Sequence, residues 1–262
     1  MDGVTREVKA DKMGVAIPDS GGRPANRIKL YELTNVEGKV VSVFVWRSRF
    51  ALSHKGLTFE SVPISYFDIP KIGTGTLKTS PILEDGGLFT SDSWAIAELL
   101  DEAYPERPAL FGSPGELAAV RFFDKWFGTA VMPHFFRACV LEIFDQVAPG
   151  EQAYFRSSRE ATLGATFEEV AARRDDHLSA GRDALLPLRL ALRHSPYIGG
   201  TAPSYADYIA WGCFVGFDAV ASWPLLADND PLLPWLRRGL AVASQFEPGS
   251  VPDPAWDDRG PR

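Results

Sequence analysis

The segment "SPILEDGGLFTSDSWAIAELLDEAYP", residues 80–105, contains three structural signals in close succession. Two short apolar pieces flank Gly86 and Gly87, a pattern typical of a β-hairpin. Apolar residues then recur at helical spacing from residue 92 until Pro105 ends the pattern. The segment therefore predicts a β-β-α unit.

A second unit precedes this one along the chain. "IKLYEL" (28–33) predicts a strand, and "VFVWRSRFALSHKG" (43–56) predicts a helix of about three turns that stops at Gly56. "LTFESVPISY" (57–66) alternates like a strand, with Pro63 at an edge or exit position. The order β-α-β followed by β-β-α predicts a small α/β domain over residues 28–104.

The rest of the chain predicts helices. Residues 105–115 are rich in Pro and Gly and predict a linker, whereas 116–246 show helical periodicity and almost no strand signal. In the first helical stretch, 116–147, Pro133 predicts a kink or a division into two helices, and Pro187 lies inside a later one. "SYADYIAWGCFVGFDAVASW" (204–223) predicts a buried central helix, which Ser204 and Asp207 start with a capping box. The ends, 1–27 and 247–262, predict flexible tails.

Composition narrows the function classes. The formal charge of −7 and a pI near 5.2 argue against general nucleic-acid binding. No apolar run approaches the roughly 18 residues of a membrane helix, and the N-terminal stretch lacks the apolar core of a secretory signal. The two cysteines and four histidines are not spaced as metal ligands. We therefore expect a cytoplasmic protein without a metal, a membrane or a nucleic acid as partner.

Several motifs resemble the cytosolic glutathione transferases. "VSVFVWRSRFALSHKG", "SPILEDGG", "SDSWAIAELLDEAYPERP", "SREATLGATFEEV" and "YIGGTAPSYADY" are similar to the bacterial β-aryl etherase branch of that superfamily and its fungal relatives. The resemblance covers residues 28–246. It implies an N-terminal thioredoxin-like α/β domain, an all-α C-terminal domain, glutathione as co-substrate and a homodimer.

Ser42 lies where serine-type members of the family keep a hydroxyl, at the N-terminal end of the first helix. The resemblance implies that Ser42 stabilises the thiolate of bound glutathione, which the helix dipole also favours. A serine that only caps the helix would occupy the same position. Cysteine-type relatives place a nucleophilic thiol there, but no cysteine precedes Cys139. This absence argues against a thiol-disulfide oxidoreductase.

The resemblance also implies a set of glutathione-binding residues. Pro81 matches a family proline that is cis, so that the backbone of Ser80 pairs with the cysteinyl part of glutathione; a plain edge-strand proline is the alternative. Asp92 and Ser93 match the pair that meets the γ-glutamyl end, although ordinary helix capping explains the same residues. Lys78 is a candidate to bind the glycyl carboxylate of glutathione; the alternative is a lysine that is solvated and binds nothing.

The second substrate is expected between glutathione and the helical domain. Aromatic residues around the bend at 122–136 suit an aromatic ligand, although aromatic residues at helical spacing also form cores. The candidate pocket residues are Phe44, Trp126, Phe127, Met132, Phe135 and Phe136.

The branch resemblance implies that the glutathione thiolate displaces a phenolate from a β-aryl ether. Val43 stands where many members of the branch have proline, which leaves general conjugation or dehalogenation of electrophiles as an enzyme alternative. A non-catalytic carrier of aromatic ligands is a third reading. A test of turnover as well as of binding is needed to distinguish these three functions.

Overall fold

The computed structural model describes residues 28–245, and the predicted tails at 1–27 and 247–262 lie outside this range. The first half contains four strands, β1 (Ile28–Leu33), β2 (Phe59–Ile64), β3 (Ile82–Asp85) and β4 (Leu88–Ser91). They form one sheet with the strand order β2-β1-β3-β4. β1 and β2 are parallel, whereas β3 pairs antiparallel with both β1 and β4.

Two helices complete this half. α1 (Val43–His54) connects the parallel strands, α2 (Ser93–Ala103) follows the β3–β4 hairpin, and a short 3₁₀ turn (Ile69–Lys71) lies between β2 and β3. The turn of the hairpin falls at Gly86 and Gly87, both with positive φ, as the sequence predicts. The first half is thus a thioredoxin-like α/β domain.

The extended elements of the second half are helices, within the part that the structure describes. Its helices are α3 (Pro114–Trp126), α4 (Met132–Ala138), α5 (Val140–Asp145), α6 (Pro149–Leu163), α7 (Phe167–Ala171), α8 (Arg174–Ala184), α9 (Leu186–Ala191), α10 (Tyr205–Asp218) and α11 (Leu233–Ala243). A π-helical turn (Phe127–Val131) joins α3 to α4. The expected architecture, a thioredoxin-like domain followed by an all-α domain, is confirmed.

The helical stretches are divided more finely than the sequence predicts. Segment 116–147 contains α3, the π-helical turn, α4 and α5 instead of one or two helices, and Pro133 lies in the first turn of α4. Pro187 likewise lies in the first turn of α9. Both prolines lie at the start of a helix. Proline has no backbone N–H, and this loss is tolerated there because the N–H groups of a first turn have no partner within the helix. α3 starts at Pro114, inside the predicted linker.

α10 is the central helix, as predicted, and every residue in it is buried. Ser204 and Asp207 form the expected capping box at its start. The buried Asp207 carboxylate also accepts hydrogen bonds from the backbone N–H of Ile198 at 2.9 Å and from the Trp235 indole at 2.8 Å. These bonds satisfy a charge that would otherwise be costly to bury, and they join the start of α10 to α11 and to the segment before α10.

Candidate functional site

The register of the sheet brings the predicted site residues to one edge. Tyr31, near the C-terminal end of β1, pairs with Ile82, the first residue of β3, and Ile82 also pairs with Ser91, the last residue of β4. The segments that follow β1, precede β3 and follow β4 therefore meet at this edge. They carry Ser42, the Ser80–Pro81 pair and the Asp92–Ser93 pair.

Ser42 is the N-cap of α1. Its backbone is extended, and its Oγ accepts a long hydrogen bond of 3.5 Å from the backbone N–H of Val45. The first turn of α1 contains no acidic residue. Free backbone N–H groups and the positive end of the helix dipole favour an anion here, so the capping position and an anion-stabilising position coincide.

The peptide bond between Ser80 and Pro81 is cis, as the resemblance implied. The carbonyl of Pro81 accepts a hydrogen bond of 3.2 Å from the backbone N–H of Asp92. This bond joins the segment before β3 to the start of α2. Lys78 is exposed two residues before Ser80, at the border of the same region.

Asp92 and Ser93 form the beginning of α2. Asp92 is the one non-glycine residue with positive φ among the residues the structure describes, at 80°. Its Oδ1 accepts from the backbone N–H groups of Trp94 at 2.9 Å and Ala95 at 3.1 Å. Ser93 is buried, and its carbonyl accepts a hydrogen bond of 2.6 Å from the Tyr205 hydroxyl of α10. The helical domain thus holds the α2 end of the site.

Two family models match this chain. "Glutathione S-transferase, N-terminal domain" matches residues 38–108, and "Glutathione S-transferase, C-terminal domain" matches residues 118–224. Together the two matches span more than half of the chain. The chain belongs to the glutathione S-transferase superfamily. This assignment supports glutathione binding and transferase activity in general.

The transferase is similar to curated proteins of several classes. It is 24% identical over 227 residues to glutathione S-transferase omega-1 of Mus musculus, a match that covers 86% of this chain and 81% of the mouse protein. It is also 38% identical over 85 residues to glutathione S-transferase Z1 of Arabidopsis thaliana, covering 28% of this chain and 38% of that protein. The second match is thus local.

Solved structures of fungal transferases share the fold. Glutathione transferase GSTFuA3 from Phanerochaete chrysosporium superposes with a TM-score of 0.74 at 23% identity, covering 82% of this chain and 97% of the fungal one. The transferase CsGST83044 of Ceriporiopsis subvermispora, solved in complex with glutathione, gives a TM-score of 0.71 at 22% identity and covers 84% and 99% respectively. At these identities the likeness concerns the fold alone.

The transferase has no reactive thiol of its own. Cys139 and Cys213 are its only cysteines, and both are fully buried. Burial raises the pKa of the Cys139 thiol far above its usual range and raises the pKa of Cys213 to about 12. Neither side chain forms a thiolate near neutral pH, so thiolate chemistry depends on an external thiol.

The predicted pocket residues divide into two groups. Phe127 and Phe135 have no exposed surface, and Phe135 packs against Phe214 of α10 with the ring centroids 5.7 Å apart. Both belong to the hydrophobic core, as aromatic residues at helical spacing often do, and their place in a pocket stays a prediction. Phe44, which lies two residues after Ser42 in the chain, is 38% exposed. Partly buried side chains are found at Trp126, Met132 and Phe136.

Arg47 is a buried cation near the candidate site that the sequence did not single out. In the sequence of α1, Arg47 is one of several cations. Charged side chains are usually exposed, yet only 3% of the Arg47 surface is exposed. Its Nη1 donates to Oδ1 of Asp124 on α3 at 3.1 Å, and its guanidinium lies 4.8 Å from the centre of the Phe44 ring. The pair holds α3 against the first turns of α1. No local sequence signal connects residues so far apart.

Within residues 28–245, no three His, Cys, Asp or Glu side chains gather as a group that could hold a metal ion. Over the same range, none of the helices combines the length and the apolar character needed to span a bilayer.

Proposed function

We propose that this protein is a serine-type glutathione transferase in which the Ser42 hydroxyl stabilises the glutathione thiolate. The position of Ser42 supports the proposal: it caps α1 at the sheet edge shared with Pro81 and Ser93. In the cap, Oγ only accepts, from the N–H of Val45. A serine hydroxyl has one proton to donate as well, so capping and thiolate stabilisation are compatible roles.

The interaction energies available at this position are sufficient to lower the pKa of the glutathione thiol. Lowering a thiol pKa from about 8.5 by roughly two units requires about 2.7 kcal/mol of preferential thiolate stabilisation. A hydrogen bond to a charged group contributes about 1.5 to 3 kcal/mol, and a helix N-terminus about 0.3 to 1 kcal/mol more. Ser42 and the first turn of α1 together supply this amount without a metal.

The remaining site residues bind the tripeptide in this proposal. The backbone of Ser80, presented by the cis bond to Pro81, pairs with the cysteinyl part. The N-terminus of α2 with the Ser93 hydroxyl receives the γ-glutamyl carboxylate, and Asp92 faces its ammonium group. Lys78 meets the glycyl carboxylate.

For the reaction, we propose displacement at an aromatic β-aryl ether. The thiolate sulfur forms a bond to the carbon that bears the ether oxygen, and the carbon–oxygen bond breaks. The phenolate leaves with the electron pair and takes up a proton from water, which a phenol pKa near 10 permits without a strong acid. The exposed Phe44 ring beside Ser42 supports an aromatic second substrate.

Phenol release from a fluorogenic β-aryl ether ketone tests the proposal. We expect release that requires glutathione, and a roughly tenfold to thousandfold loss in Ser42→Ala, corresponding to about 1.4 to 4 kcal/mol. Ser113→Ala is the matched control, because Ser113 caps α3 through a similar contact of 3.4 Å to the N–H of Glu116. Near-wild-type rates in Ser42→Ala would reject the role of Ser42.

General conjugation or dehalogenation is the second candidate. Val43 stands where the etherase branch often has proline, and the similar curated proteins are named omega, zeta-class and U2 transferases. Turnover of a halogenated electrophile without phenol release from the ether would favour this function. A carrier would bind an aromatic dye, turn over neither substrate, and keep its dye affinity in Ser42→Ala.

A further inference from the structure

The loop between β1 and α1 folds as a tight hairpin around one side chain. Asn35 Oδ1 accepts from the backbone N–H of Glu37 at 3.0 Å and of Lys39 at 2.8 Å. The Asn35 N–H also donates to the Lys39 carbonyl at 2.9 Å, and Gly38 has the positive φ of 78° that the turn requires. Asn35 therefore organises the loop internally.

This hairpin leads directly into Ser42. Its returning side pairs Val40 with Thr34, and the Val40 carbonyl accepts a hydrogen bond of 3.1 Å from the Trp46 indole of α1. Val40 is buried and lies two residues before Ser42. The backbone that carries the Ser42 hydroxyl is thus fixed by the hairpin on one side and by α1 on the other.

The helical domain holds the same hairpin from outside. Asn35 Nδ2 donates to Oε1 of Gln146 at 2.6 Å, and the Val36 N–H donates to the Gln146 carbonyl at 3.1 Å. Gln146 directly follows α5. Because Asn35 Oδ1 already faces two N–H donors, the orientation of its amide is determined by the network. Asn35 is 9% exposed, so this cross-domain hydrogen bond is largely shielded from water.

We propose that Asn35 and Gln146 are positioning residues for Ser42, through which the helical domain sets the place of the thiolate-stabilising hydroxyl. This inference rests on the proposed function. The hydroxyl must lie within hydrogen-bond distance of the sulfur to act, and small displacements of a catalytic group reduce rates strongly. Neither residue touches the substrate in this role; both act through the loop.

Two variants of Gln146 test the proposal. Gln146→Leu removes the acceptor for Asn35 Nδ2, whereas Gln146→Glu keeps one. We expect Gln146→Leu to lower kcat about tenfold, to raise the pKa of the bound glutathione thiol, measured by the ultraviolet absorbance of the thiolate, and to leave the KM for glutathione nearly unchanged. Gln146→Glu should restore most of both readouts.

Glu151→Ala is the matched control. Glu151 lies on α6 and accepts a hydrogen bond of 2.5 Å from the Tyr66 N–H after β2, which is a cross-domain contact outside the Ser42 loop. It should lower stability without changing the thiol pKa. Equal thiol pKa values in Gln146→Leu, Glu151→Ala and wild type would overturn the positioning role.

The positioning role of Gln146 and the proposed function of Ser42 can be rejected separately. If wild type and Ser42→Ala differ in thiolate formation but Gln146→Leu matches wild type, the positioning role alone is wrong. If wild-type protein forms no glutathione thiolate, the proposed function fails and the positioning role with it. Circular dichroism spectra of the variants establish that each one is folded.

Discussion

Asp92 combines a structural and a proposed binding task, and substitution can separate the two. Its side chain caps α2, and its positive φ is a conformation that costs a non-glycine residue about 1 to 3 kcal/mol. Such strain persists only where surrounding contacts impose it, and the two hydrogen bonds to Trp94 and Ala95 do so here. The negative charge, by contrast, is not needed for the cap.

We predict that Asp92→Asn keeps the stability of the fold but raises the KM for glutathione several-fold, because an amide oxygen still caps α2 while the charge facing the ammonium group is lost. Asp92→Ala should also lower the free energy of unfolding by about 1 kcal/mol through loss of the cap. Urea titrations and steady-state kinetics of both variants measure the two effects. An unchanged KM in Asp92→Asn would leave Asp92 with capping alone.

At the scale of elements, the packing of α1 on α10 depends on two glycines of α10. A Cβ on Gly212 would lie 2.7 Å from the Val43 carbonyl and 3.0 Å from Arg47 Cγ, and one on Gly216 would lie 2.9 Å from Val43 Cγ1. At both positions the shortest distance is below what a real Cβ atom tolerates, so the helices approach as closely as they do because these positions lack side chains.

We predict that Gly212→Ala displaces the first turn of α1, lowers the free energy of unfolding by about 1 to 3 kcal/mol and reduces transferase activity. Gly150→Ala is the control, since a Cβ there meets nothing within 4 Å. It should be neutral or slightly stabilising because alanine favours a helix. Chemical denaturation and a conjugation assay compare the pair, and equal stabilities would contradict the packing argument.

Local sequence signals predicted the strands and helices of the fold, but they did not predict which charged residues on distant elements pair with one another. Two glycines in the hairpin and a clear strand period gave the sheet, since turns and strands are specified by neighbours in the chain. Arg49 in α1 and Lys55 directly after it are buried against Glu32 and Asp101. Their partners lie on other elements, and a single sequence contains no signal for such a pairing.

The candidate site was predicted to a similar extent. Ser42 and Asp92 stand at helix starts, which sequence patterns mark well. The convergence of these helix starts required the strand register, and Phe127 and Phe135 could be assigned to the core only once their packing was known. The role proposed for Asn35 depends on Gln146, more than a hundred residues away.

At the scale of the whole molecule, one hydrophobic core joins the two domains. It runs from the sheet residues Ile28 and Leu30 through α1 to Trp211 of α10 and Trp235 of α11. The Tyr205–Ser93 hydrogen bond crosses the same boundary. The site therefore lies on an interface that is buried like a domain interior, and the stability of the molecule and the geometry of the site are coupled.

Asp218 makes this stability dependent on pH. It is the last residue of α10, and burial raises its pKa to about 7, compared with about 3.9 for an unperturbed aspartate. Between these two values the unfolded chain releases the proton while the folded protein retains it. The contribution of Asp218 to the free energy of unfolding therefore falls as pH rises from about 4 to about 7 and is constant above that range.

We predict that Asp218→Asn removes this decline, because an amide does not titrate. Relative to wild type, the variant should gain stability progressively between about pH 4 and pH 7, by up to about 4 kcal/mol for a pKa difference of about three units. Asp228→Asn, at an exposed position, is the control and should follow the wild-type curve. Urea unfolding at a series of pH values measures the difference. Parallel curves for wild type and Asp218→Asn would mean that the Asp218 carboxyl ionises in the folded protein as easily as in the unfolded chain, and that α10 accommodates a charge at its C-terminal end.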